Sequence, residues 1–137
     1  MRLCNETVTI INKKWDSSEG KDIYNFSVVR GVSWYSDIAS AVDSTGLHAA
    51  NRIIVRIPAD ADFGGKQYVD TVTYASETIV SGLFTLAQGD VIVKAEVTDT
   101  SLKPAQIHDL YPDCMTVLGV TDNRRAPNAK HWKVVGQ

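Results

Sequence analysis

Apolar and polar positions alternate through much of this chain, the period of a strand with one buried face. In Glu6 to Lys13, Val8 and Ile10 share one face and Thr7, Thr9 and Ile11 the other, and the β-branched side chains favour extended backbone. The polar run Asp16-Ser17-Ser18-Glu19-Gly20-Lys21 supplies a turn. Tyr24, Phe26 and Val28 alternate next, and Val29 breaks phase just before Gly31, which predicts a bulge or bend. Val32, Trp34 and Tyr35 carry the extended reading to Val42, and Asp43 to Asn51 reads as a long loop. The clearest strand is Arg52 to Ile57, with Ile53, Val55 and Ile57 on one face; Pro58, which cannot donate to a ladder, ends it.

Further strands are expected near Gln67 to Tyr74 around Val69 and Val72, at Leu83 to Leu86, and from Val91 to Val97 after a Gly89-Asp90 turn. One short helix follows. Thr100 or Ser101 would cap it, Pro104 suits its first turn, Ile107 and Leu110 share a face, and Pro112 stops it. Met115 to Val120 and His131 to Val135 are the last strands, joined by the polar loop Thr121 to Lys130. The pattern predicts a mainly β fold, a barrel or sandwich of about seven to eight short strands with one short helix and long loops. Its expected core is Val8, Ile10, Phe26, Trp34, Ile53, Val55, Ile57, Val91, Val93, Val117 and Val134.

Composition narrows the function classes. At 137 residues the chain fits one domain, 1–137, and its 44% apolar share suffices for a core without metal or disulfide. A net charge of -2 with 22% charged residues excludes a strongly basic nucleic-acid binder and an acidic disordered tail. No apolar run reaches the roughly 20 residues of a membrane span, so no membrane partner is expected. The opening Met-Arg-Leu-Cys-Asn-Glu has no apolar segment of a secretory signal, which predicts a product made and kept in the cytosol unless released inside a particle. Cys4 and Cys114 read as free thiols.

Catalytic and metal signatures fail one by one. His48, His108 and His131 are far apart in sequence, with no cysteine at ligand spacing. Asp60-Ala61-Asp62-Phe63-Gly64 is similar to the start of a calcium loop, but Thr71 stands where the bidentate glutamate belongs. Gly64-Gly65-Lys66 lacks the first glycine and the final Ser or Thr of a phosphate loop, and it precedes a strand. No Gly-x-Ser-x-Gly elbow is present. The sequence predicts no enzyme and no cofactor. Asp60 and Asp62, between a proline and two glycines, read as a solvated tip.

Charge is unevenly placed. From Asp122 onward, Arg124, Arg125, Lys130 and Lys133 oppose one acid, a net of +3, so the first 121 residues carry -5. Such asymmetry suits head-to-tail contacts between copies; alternatively, Arg124 and Arg125 only keep a loop solvated. Trp132, beside this loop, serves as either a core anchor or an interface anchor.

Three segments carry a resemblance: Val55 to Asp70 (VRIPADADFGGKQYVD), Leu83 to Lys94 (LFTLAQGDVIVK) and Met115 to Gly136, of which the last is the most specific. They resemble small proteins of the head-to-tail gene cluster in prophages of Gram-positive bacteria, and the layout is similar to head-completion (stopper) proteins. The resemblance spans nearly the whole chain. It implies a small β-barrel in a homo-oligomeric ring of about six or twelve copies, between the portal or adaptor ring and the tail terminator or tail tube. It also implies a place in the virion neck and non-specific contact with packaged DNA. Asp60, Asp62, Gly64, Gly65 and Lys66 are then candidates for a channel or interface loop, and Arg124, Arg125, Lys130 and Trp132 for a subunit interface. A tail terminator or capsid-associated minor structural protein is the alternative, and a ligand-binding barrel or enzyme a third class.

Overall fold

β1 (Glu6–Asp16) and β2 (Lys21–Asp43) form the first hairpin. They belong to a computed structural model that describes residues 5–137 apart from 44, 45, 78, 79, 81, 100, 126 and 129, with backbone alone for 37–43 and 46–51. The turn between them works as its composition predicts. Asp16 Oδ1 accepts from the N–H and hydroxyl of Ser18, and Gly20 adopts a left-handed φ of 67°.

The phase break in β2 is a bulge. Glu6 pairs with Val32 and Thr7 with Arg30, so Gly31, at φ 87°, has no opposite residue. The bulge also lets one strand serve two partners, β1 before it and β3 (Gly46–Pro58) from Ser33 onward. The loop expected over Asp43 to Asn51 is therefore corrected: 46–51 lie in β3, paired with 38–43, while Ser44 and Thr45 fall outside the described residues. Small and polar residues there, without apolar alternation, hid the strand.

The remaining order is β4 (Gln67–Tyr68), α1 (Thr71–Ser76), β5 (Leu83–Phe84), β6 (Val91–Val93), α2 (Pro104–Leu110), β7 (Cys114–Asp122) and β8 (His131–Gly136). Six strands close into an antiparallel barrel in the order β1-β2-β3-β8-β7-β6, and β4 and β5 form a separate parallel pair. The mainly β barrel expected from the sequence is thus present. The strand expected through Tyr74 is not. Asp70 accepts from the Thr73 N–H at 2.7 Å and starts α1, so the local cap overrides the alternation of Val69 and Val72. The helix expected at Pro104 forms, but Lys103 is its N-cap residue, its N–H bonded to Gln106 Oε1; Ser101 bonds Asp99 instead, and Thr100 is outside the described residues.

Two apolar clusters result. Val8, Ile10, Val55, Ile57, Ile92, Met115, Val117 and Val134 fill the barrel, and Phe84 and Leu86 pack into the same cluster. Ile11, Val91 and Val93 point outward, where Val97 and Ile107 of the α2 segment cover them. That second layer explains why both faces of β1 are buried. Thr9, on the outer face, donates its hydroxyl to Ala95 O and accepts from Val97 N–H. Phe26 packs partly buried against this outer cluster, not in the barrel; Trp34 and Ile53 are only half-buried at the barrel's rim.

Candidate functional site

Val8 and Ile10 continue along the inward face of β1 to Asn12, which lies opposite Asn25, and Ile10 lies opposite Ser27. Apolar filling thus gives way to amides and a hydroxyl toward one end of the barrel. Asn12 donates to Thr85 O at 2.7 Å and to Asp90 Oδ2 at 2.8 Å, and its own carbonyl accepts from Thr85 N–H. Asp90 Oδ1 accepts from Lys13 N–H. Burial pushes the Asp90 carboxyl up, against the pull of these donors. Asn25 donates to Val80 O and Leu83 O. A polar layer therefore fastens Val80 and the 83–90 stretch to β1 and β2, and the side chains of Asn12, Asn25 and Asp90 in it are paired, as low dielectric requires.

Lys66 belongs to that layer. Its ammonium donates to Asn25 Oδ1, Phe26 O and Ser27 Oγ at 3.2, 2.7 and 3.0 Å, and burial pushes its pKa down. Of the five residues nominated between Asp60 and Lys66, this one turns into the protein and staples the loop. Gly64 and Gly65 have φ of 64° and 83°, and Asp62 Oδ1 accepts from Gly64 N–H, so the left-handed turn is built locally. The backbone of Asp62 also exchanges both hydrogen bonds with Arg30, beside the Gly31 bulge. Asp60 and the carboxylate of Asp62 remain exposed.

The second nominated set divides in the same way. Trp132 is 3% exposed and is a core anchor, packed among Phe63, Tyr68 and Phe84. Arg124 lies over the rings of Tyr68 and Trp132, at 5.0 and 4.9 Å from their centres. Its guanidinium binds both oxygens of Asp122, which holds the Asp122 carboxyl below the usual range and raises the arginine. Arg125 and Lys130 are exposed.

The two loops meet. Ala59 N–H donates to Lys130 O at 2.9 Å, extending the Pro58–His131 register. Between them opens a cleft of about 850 Å³, lined by Arg30, Asp60, Asp62, Asn128 and Lys130 among others. Residues about 70 positions apart in sequence thus share one surface at the Pro58 end of β3, bearing both signs of charge. The sequence reading found the loops but not their junction. It also missed Asn12 and Asn25, though a polar side chain at the third position of an otherwise inward apolar series, as in Val8, Ile10, Asn12, is a readable signal.

Folding brings His108 Nδ1 to 3.1 Å from Cys114 Sγ, a pair the sequence does not suggest. Burial and Asp113 push the thiol up, away from the nucleophilic thiolate. Among the described residues no group of three His, Cys, Asp or Glu is placed to hold a metal, and no helix is long and apolar enough to cross a membrane.

The profile of a family of unknown function, DUF6751, matches residues 3–137. No curated protein and no solved structure matches the chain.

Proposed function

We propose that this chain, which belongs to the DUF6751 family, is a structural protein of a tailed-phage neck, forming a stopper-like ring between the portal or adaptor and the tail. The observation that carries this reading is the β2–β3 arm. From Asp37–Arg52 outward the two strands pair with each other, beyond the point where β8 joins β3 at Ile53. An isolated two-stranded ribbon is marginal in water, and its open edges invite pairing, so such an arm is best accounted for by neighbouring copies. The arm and the cleft lie at opposite ends of β3, the arrangement a heterologous, ring-closing contact requires. The three segments resembling head-completion proteins support the same assignment. In such a ring the exposed Asp60 and Asp62 would repeat around the axis and repel the phosphate backbone of passing DNA.

Native mass spectrometry of the purified chain tests the ring, with a closed assembly of about six or twelve copies expected. Replacing residues 37–52 by a two-residue turn joins Ser36 to Ile53, which already face each other, and should yield a folded monomer. A wild-type chain that stays monomeric at every concentration overturns the ring. Cryo-electron microscopy of particles tests the position: copies spread over the capsid by the hundred, rather than confined to the neck, overturn it.

A further inference from the structure

A second cleft, of about 560 Å³, lies between the β1–β2 turn and α1, away from the Pro58 end. Trp15 stands at it with 60% of its surface exposed, a large aromatic surface that the fold leaves in water. The buried residues Tyr74 and Thr85, 3% and 2% exposed, also line it. Its rim carries Glu77, the second carboxylate oxygen of Asp16, whose Oδ1 already accepts from Ser18, and the hydroxyl of Ser17.

We propose that this cleft binds a neutral saccharide unit, one face of its ring stacked on Trp15. The C–H face of a pyranose is apolar and flat enough to cover an indole, and its edge is a row of hydroxyls that both donate and accept. Carboxylates and hydroxyls around an aromatic platform match that edge, and the volume lies within the usual span of small-ligand sites. An anionic ligand such as a nucleotide fits less well. The two lysines at the cleft are already engaged, Lys13 with Asp22 at 3.7 Å and Lys14 with Ala75 O at 2.9 Å, and Asp16 and Glu77 repel phosphate. This inference stands independently of the neck assignment.

The test follows the backbone and indole N–H signals of the isotope-labelled full chain during titration with glucose, galactose, N-acetylglucosamine and their disaccharides, with adenosine monophosphate alongside. The expected result is a saturable shift of the Trp15 indole and of residues 74–77 with at least one sugar. Trp15→Ala should weaken that binding about tenfold or more, and Glu77→Gln should weaken it measurably. Both positions are exposed, so melting temperature should not change with either substitution. No saturable shift with any sugar, a response to the nucleotide alone, or undiminished binding by Trp15→Ala each overturns the proposal.

Discussion

Lys66 and Asp90 illustrate how a charged residue inside this fold differs from the same residue on its surface. The Lys66 ammonium satisfies three acceptors on β2, so Lys66→Met leaves Ser27 and the Phe26 carbonyl short of a donor. A loss of about 1–3 kcal/mol is expected from urea unfolding, whereas Asp60→Ala should leave the midpoint in place. Asp90 acts in the opposite sense. Its folded pKa lies above the ordinary 3.8, so the folded state takes up the proton first as pH falls. Stability contributed at this position therefore rises as pH falls through the folded value toward 3.8, and is lowest at neutral pH. Asp122, held down by Arg124, contributes stability above 3.8 that is lost below it. The stability of wild type relative to Asp90→Asn should accordingly be more favourable near about pH 4 than near pH 7, measured by urea unfolding at both.

At the scale of elements, strands with one face in the barrel were legible and those outside it were not. Ile53, Val55 and Ile57 alternate because one face of β3 packs into the barrel cluster there; the same strand from Gly46 to Arg52 pairs with β2, and its sequence shows no apolar alternation. Thr71 to Tyr74 misread as the end of a strand because α1 buries only Tyr74, too little for a helical stripe, and its signal is the Asp70 cap. The Gly31 bulge was legible from a single phase break. Gly136 was not singled out, although it is among the most constrained positions. It sits where β8 crosses the β7 register shift, and a Cβ there would collide with Thr116 O and crowd Met115 Sδ. Gly136→Ala should cost about 1–3 kcal/mol in thermal or urea unfolding, since the obstacle is backbone.

Across the whole molecule, the charge asymmetry read from the sequence survives in altered form. Arg124 is committed to Asp122 and the two aromatic rings, so Arg124→Glu should lower the melting temperature of the chain itself. Arg125 and Lys130 border the cleft or its loop with exposed side chains, and the double change to Glu should leave melting intact while weakening the proposed contact between copies. The weakening should shrink at high salt, as expected of exposed charges, in sedimentation at two ionic strengths. The candidate site was thus half legible: sequence located both loops, but only folding reveals which cations are spent internally.

The order of the barrel also sets the timetable of its formation. β1 cannot be closed on its second edge until β6 arrives, and the bonds that join them span long stretches of chain, 78 residues from Asn12 to Asp90 and 88 from Thr9 to Val97. The first hairpin can form early, but its apolar surface then waits for segments made much later. Topologies dominated by such distant pairings fold slowly, on the order of milliseconds to seconds. During that interval β1 and β3 present open edges rich in isoleucine and valine, which can pair with those of other unfinished chains before each barrel shuts.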